Sequence, residues 1–460
     1  RGGIGWIPAP TTYTYDSQNR VIQTVNPDGG TNITVYNLVG QQQATIDALG
    51  NMTSNTYDPD GHLIQTKYPD GTYESSAFDG AGNRTNIMDR LQRPTTYVYD
   101  ALNRLVETIY PDAATNATVY DDVGRVSESI DARGTIIANG YDVAGRRVAV
   151  TNALGVTGVQ NVSSYGYDAD GNRVTSTDAD GHTTTNVLDA LNREVQIQYP
   201  DGTTTETVYD RDGRSVAQTN QDGFATLFGY DGLGRLISVT NAVSQVTRYQ
   251  YDEAGNEIGQ VDALLRTNMY AYDGMGRRIG HTMPGGQSEG FAYDLDGDQH
   301  YHTNFDGTVV TNRYDANNQL TNVSSVFGYN VSFVYSATGQ RTNMLDVSGR
   351  TVYTYDLRDR LIQKAVNWTG GTNVSLNYAY DANGNLTNLW SSTPGGVTNV
   401  YQYDPLNRLT NVIGQAGSLA QYSYDSVGNL QAMRYGNGMT NGLQYDALNR
   451  LTNSVWQSMY

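Results

Sequence analysis

The chain has 460 residues, a formal net charge of −18 and no cysteine. Its acidity argues against nucleic acid or an anionic membrane as a partner, and the missing thiols exclude disulfides, thiolate metal sites and covalent haem attachment. No run approaches the ~20 apolar residues of a membrane span. Tyrosine is the outlier, with 36 copies against 7 Phe and 4 Trp. A thick core favours Leu, Ile, Val and Phe. Tyrosine, flat with a wet tip, suits a sheet only partly shielded from water.

Residues 1–10 are rich in Gly and Pro and read as a lead-in segment. With no initiating Met and no charged-then-apolar leader, the chain reads as a piece of a longer polypeptide. From residue 11 to 460 one pattern runs without a break. Tyr15, Tyr36, Tyr57, Phe78, Tyr99, Tyr120 and Tyr141 fall every 21 residues. A five-residue insertion follows, and the series continues at Tyr167, Leu188, Tyr209, Tyr230, Tyr251, Tyr272, Tyr293, Tyr314 and Tyr335. Tyr355, Tyr380, Tyr403, Tyr424 and Tyr445 complete 21 copies at looser spacing. A fixed period of this length marks a repeat architecture that grows by addition.

Each anchor opens a turn. The next residue is Asp16, Asp100, Asp121, Asp142, Asp210, Asp231, Asp273 or Asp446, and Asp in every copy except Asn37 and Ser336. Four residues after the anchor stand Asn19, Asn103, Gly124, Gly145, Gly213, Gly234, Gly276 and Asn449; across the array this position is Gly in 14 copies, Asn in six and Asp359 in one. The first residue type accepts backbone N–H bonds and the second tolerates positive φ, so the pattern predicts a type I turn closed by a left-handed residue. Half a period later comes a second turn, as in Asn26-Pro27-Asp28-Gly29, Tyr68-Pro69-Asp70-Gly71 and Tyr199-Pro200-Asp201-Gly202. Between turns lie Val, Ile, Thr and Tyr in runs of about six, which read as strands. The fold class is therefore all-β: a meander of about 42 short antiparallel strands, some 200 Å long and 20 Å wide. A sheet that long must coil, giving a hollow spiral or a fibre. Its area of about 4,000 Å² is half of what encloses a folded 100-residue domain. The insertion near Gly155–Ser164 and the short spacing before Tyr355 mark places for a kink.

Sites of chemistry are few. Asp168-Ala169-Asp170-Gly171-Asn172 and Asp294-Leu295-Asp296-Gly297-Asp298 resemble the start of a calcium loop, yet lack its 12-residue frame and closing Glu; the turn accounts for each Asp and Gly. His300 and His302 share a strand face with no further ligand in view. His62 and His182 occupy turn positions, and no nucleophile–base arrangement emerges. Neither a cofactor nor a metal nor a catalytic residue is expected. Asn-x-Ser/Thr matches such as Asn32-Ile33-Thr34 follow from composition.

Tyr-Asp-x-x-Gly/Asn-Arg at this spacing, alternating with Pro-Asp-Gly-Thr, resembles the YD-repeat (Rhs-repeat) superfamily over residues 11–460. Its members include bacterial Rhs toxins, the C component of insecticidal toxin complexes, wall-associated proteins and teneurins. The resemblance implies a spiral β-shell, often a cocoon around a C-terminal toxic domain, and no enzymatic role for the array. The Asp-Pro-x-Gly-Leu type junction where toxin-carrying members cleave themselves is not matched: Asp404-Pro405-Leu406-Asn407 is an ordinary repeat turn. The expected function is a structural shell segment of a secreted or surface bacterial protein, partnered by its own flanking domains or cargo. The alternative is a fibre or cell-surface adhesin that self-associates, with a glycan as a possible ligand.

Overall fold

The structure is a computed structural model that describes residues 10–458; the expected lead-in, but for Pro10, lies outside them. It contains 42 strands, from Thr12–Tyr15 to Leu451–Gln457, and no helix among the described residues. Each strand pairs antiparallel with the strands before and after it in sequence, as in Thr12–Tyr15 with Val21–Val25 and Val21–Val25 with Thr31–Tyr36. The result is one uninterrupted meander. The first and last strands are not paired with each other, so the sheet is open and not a barrel.

The repeat is built from two hairpins of different design. At the Tyr-Asp turn the strand register shifts by one residue just before the tyrosine, for example between Val119 and Tyr120 and between Gly229 and Tyr230. This is a bulge, and it is closed by a residue in the left-handed region. Asn19 (φ 63°), Asn103 (59°), Gly124 (88°), Gly145 (82°), Gly213 (83°), Gly234 (81°), Gly276 (75°) and Asn449 (61°) all stand there. The second turn uses the same closure, usually with Gly, but Gln92, Ala113, Ser244 and Leu265 adopt positive φ without being glycine or asparagine.

Little is deeply buried. Among the described residues the buried apolar ones are Ala44, Ala153, Val331 and Ala420, and no large side chain is fully enclosed. A sandwich of two sheets would bury one whole face of each. Here both faces of the ribbon stay open, and the protein is a single curved layer.

The layer coils on itself. Asp28, in the turn between Val21–Val25 and Thr31–Tyr36, pairs with Arg277 in the turn between Thr267–Tyr272 and Arg278–Thr282, 249 residues and 23 strands further on. Asp201 and Arg450, again 249 residues apart, make the corresponding contact at the far end. One winding thus takes 23 strands, and 42 strands make just under two. At about 4.8 Å per strand the perimeter is about 110 Å, so a circular winding is about 35 Å across between backbones.

The irregular spacings are absorbed locally. Before Tyr355 a tight hairpin pairs Asp346 with Gly349, and the flanking strands lengthen to Gly349–Tyr355 and Leu361–Trp368. The insertion folds back on the sheet: Leu154 N–H donates to the Ile136 carbonyl at 2.9 Å, and Ala153 is buried.

A Cβ on Gly234 would meet nothing closer than Arg214 Nη1 at 3.7 Å, so backbone conformation rather than space makes this position sensitive. Gly234→Val is expected to cost roughly 1–2 kcal/mol, whereas Gly234→Asn costs little. Thermal melting of the two variants checks this; equal midpoints would contradict it.

Candidate functional site

The turn rows are where side chains converge, and the Tyr-Asp turn is a closed circuit of bonds. Asp100 Oδ1 accepts the N–H groups of Leu102 (2.9 Å) and Arg104 (3.0 Å), while Oδ2 accepts Arg104 Nε at 2.7 Å. Asp16, Asp210, Asp231, Asp273 and Asp446 bond the same way to the residues two and four ahead of them. The Arg104 side chain, with backbone N–H groups second, holds the Asp100 carboxyl below the usual carboxylate range. For Asp121 and Asp142 the backbone N–H of Arg125 and Arg146 leads in lowering it.

The arginine then reaches forward to the next repeat. Its guanidinium lies over the following anchor ring: Arg104 over Tyr120 (4.4 Å), Arg125 over Tyr141 (4.5 Å), Arg193 over Tyr209 (4.6 Å) and Arg214 over Tyr230 (5.1 Å). Arg235 Nη1 also donates to the Asp252 carbonyl at 2.9 Å. The anchor hydroxyls reach back in turn. Those of Tyr99, Tyr120, Tyr141, Tyr209, Tyr230 and Tyr445 donate to the carbonyls of Arg84, Leu105, Val126, Glu194, Ser215 and Leu430 at 2.8–3.0 Å. Tyr272 keeps the anchor place, where burial raises the pKa of its hydroxyl. Tyr15, in the first described strand, is exposed and lies 6.5 Å from Tyr13.

The repeat motif includes this arginine, but the reading of the turn from its Asp and Gly gives it no role. Its signal was present, since Arg fills the fifth position after the anchor in 11 of 21 copies. Where Arg is replaced, Asn83 and Asn172 bond their own Asp and also reach Asn103 and Asn192 of the next turn at 2.9 and 3.0 Å.

A second convergence is the seam between windings, which no local pattern announces. Second-type turns of the first winding meet Tyr-Asp turns of the second. Arg93 donates bidentately to Asp359 at 2.9 Å on each oxygen, Arg360 to Asp112 at 3.0 Å, and Asn317 to Asp70 at 2.8 Å. Arg133 donates to the Asp404 carbonyl at 3.0 Å, Asn383 to Asp131 at 2.7 Å, and Ser426 to Asp180. A cavity of about 430 Å³ opens on the seam, lined in part by Asp178, His182, Tyr199 and Arg450.

Of the loops that resemble calcium-binding starts, Asp168–Asn172 is an ordinary turn in which Asn172 replaces Arg. Asp294–Asp298 lies on the seam. There Asp298 stands where 11 of the copies carry Arg, so the turn has a second carboxylate in place of a cation. Ala48 N–H donates across the seam to Asp296 Oδ1 at 2.9 Å, and Asp296 Oδ2 is buried without a partner. Burial first, and the charge of Asp47 second, push the Asp296 carboxyl up to about 6.

The histidines sort differently from their sequence spacing. His302 turns away from His300 to Glu289: His281 Nδ1 and His302 Nε2 each lie 3.1 Å from a Glu289 oxygen, and His300 packs on the Tyr301 ring. Asp58, Asp60 and His62 place possible metal ligands within 4.8 Å of one another in one turn, where the 2.9 Å Asp58–His62 contact repeats the ordinary Asp-to-fifth-position bond.

The raised pKa of Asp296 has a definite sign. Its protonated form is favoured by folding, so its contribution is full below the unfolded value near 3.8 and is lost as pH rises through about 6. Asp296→Asn is expected to raise the melting midpoint at pH 8 by about 1–3 °C, and the gain should shrink as pH falls to 4. A gain independent of pH would show that the carboxyl does not titrate at the seam.

Two family models match the chain. One described as Teneurin YD-shell covers residues 199–383. One described as RHS Repeat matches residues 78–115, 120–157, 167–204, 380–419 and 403–440. No curated protein matches the sequence. Among solved structures, the crystal structure of TcdB2-TccC3-TEV is 15% identical, with a TM-score of 0.42 over 94% of this chain and 26% of that one. The crystal structure of TcdB2-TccC3 is 13% identical, with a TM-score of 0.39 over 97% and 38%. The Photorhabdus luminescens Tc holotoxin pore is 16% identical, with a TM-score of 0.38 over 94% and 26%. The chain thus spans about a quarter to two fifths of the length of these matches. With both repeat models falling on a ribbon stitched turn to turn in this way, the chain belongs to the YD-repeat, or Rhs-repeat, superfamily.

Proposed function

We propose that the chain is a non-enzymatic wall: a β-shell segment of a secreted or surface bacterial protein that encloses or presents a polypeptide cargo carried on flanking sequence. The observation that carries this reading is the single-layer coil. A ribbon that leaves both faces open and closes its windings edge to edge spends its side chains on making a partition. The bonded groups of the Tyr-Asp turns, from Tyr15, Asp16 and Asn19 to Tyr445, Asp446 and Asn449, act in this reading as structural members.

The coil also bounds what fits inside. A perimeter of about 110 Å encloses at most a circle about 35 Å across, and side chains narrow it to about 25 Å. A folded domain of 100 residues is about 34 Å across. The winding therefore suits an extended or partly folded chain better than a folded domain. This revises the requirement for a wall of about 8,000 Å², which assumed folded cargo.

The test uses the full-length protein, with a protease site placed in the sequence that flanks the array. The wall should shield that site from a protease too large to enter, and Arg93→Ala with Arg360→Ala, which unstitches the seam, should expose it. Equal cleavage with the seam intact and broken would contradict enclosure.

A further inference from the structure

Between the Asp28–Arg277 and Arg93–Asp359 pairs the seam passes six strands of the first winding, or about 29 Å, with no ion pair across it among the described residues. Two hydrogen bonds cross this stretch there: Ala48 N–H to Asp296 Oδ1 at 2.9 Å and Asn317 Nδ2 to Asp70 at 2.8 Å. The longitudinal ties stop in the same place. Three consecutive Tyr-Asp turns of the second winding carry Asp298, Gln319 and Gln340 at the fifth position. Among the described residues, no side-chain hydrogen bond links turn 294–298 to 315–319, or 315–319 to 336–340. The same strip of the first winding carries Gln41, His62 and Asn83, so six of the ten copies that lack arginine fall together. Another stretch, around Asp180 and Ser426, also lacks an ion pair. There Arg408 lies over Tyr424 and Asn429 bonds Asn449, so the tie continues.

The closed seam is costly at this stretch. Of six buried side-chain atoms without a hydrogen-bond partner among the described residues, three belong to it: Asp296 Oδ2, Asp298 Oδ2 and Asn317 Oδ1. Parting the windings would hydrate all three. Asp296 also faces Asp47 across the seam, with Asp294 and Asp298 in its own turn and the Tyr314 phenol within reach of their charge. Arg277, the cation of the preceding turn, is already held by Asp273 and Asp28. Two facing carboxylates repel unless one takes a proton, in keeping with an Asp296 carboxyl pushed up to about 6.

We propose that this stretch is a port in the wall, latched by a proton shared between Asp47 and Asp296 and parting when that proton leaves. In the parted seam Asp296 returns to the ordinary carboxylate range. Closure is therefore favoured in acid, and that favour is lost as pH rises through about 6. The Asp28–Arg277 and Arg93–Asp359 pairs bound the opening, so the windings separate between them while the coil holds. The port deepens the reading of the chain as a wall, but its test reads the seam itself and is separate from whether cargo is enclosed.

Hydrogen exchange of the full-length protein at pH 5 and pH 8, corrected for intrinsic rates, tests it. Peptides spanning Ala44–Met52 and Ala292–Gln299 should exchange about 10- to 100-fold faster at pH 8. Peptides spanning Thr108–Thr115 and Thr354–Leu361, at the Asp112–Arg360 pair, should keep their protection. Asp296→Asn and Asp47→Asn each remove the carboxylate pair and should make exchange around Ala48 equal at the two pH values. Joining Asp70→Cys to Asn317→Cys with a short bismaleimide should restore protection at pH 8, because it holds the stretch shut. Even protection along the seam at both pH values would overturn the port. A loss at pH 8 that survives both Asn variants would overturn the proton latch, and one that survives the linkage would overturn the parting of the windings.

Discussion

The carboxylate at the head of each Tyr-Asp turn is the constraint on which the architecture depends. One oxygen gathers two backbone N–H groups and fixes the turn; the other holds the side chain four residues on. When that side chain is arginine, it extends over the next tyrosine ring and, as in Arg125, Arg235 and Arg408, donates to the next turn's carbonyl. A local turn becomes a longitudinal tie. Without a hydrophobic interior, this tie and the strand ladder carry what a core carries in a globular domain. Each exposed Asp–Arg pair contributes little by itself, and the arrangement works through repetition along one edge.

Coiling follows from the sheet's length and is made specific by the seam. Twisted sheets of this many strands must curl, but curling alone does not choose a period. Contacts such as Arg93–Asp359 and Arg360–Asp112 fix it at 23 strands. The Asp47–Asp296 contact is the local exception, where two carboxylates face each other beside a turn that has Asp298, not arginine, at its fifth position.

Much of the fold was legible because the period is short and the residue menu narrow. Tyr120-Asp121 with Gly124, repeated, leaves few structures other than a bulged hairpin, and alternating Val, Thr and Tyr leaves few elements other than a strand. The arginine tie was overlooked because attention to positive φ and to the Asp oxygen explained the turn without it. The seam was not legible at all, since Asp28 and Arg277 meet only once the curvature of 23 strands is summed. The His281–Glu289–His302 contact was missed for a related reason: residues on three neighbouring strands share a face but no sequence motif. At the irregular spacings the chain forms a tight hairpin at Asp346–Gly349 and a folded-back insertion at Ala153, loop adjustments on either side of which the strand pairing continues.

The winding period is the claim most directly open to measurement, and the absence of native cysteine makes the experiment clean. Asp70→Cys with Asn317→Cys places two thiols across the seam, 247 residues apart. A short bismaleimide should join them within one chain, giving a faster band on a denaturing gel and one linked peptide pair by mass spectrometry. Asp70→Cys with Arg358→Cys, two Tyr-Asp turns out of register, should not be joined. Equal linkage of the two pairs, or linkage of the second alone, would contradict a coil of 23 strands per winding.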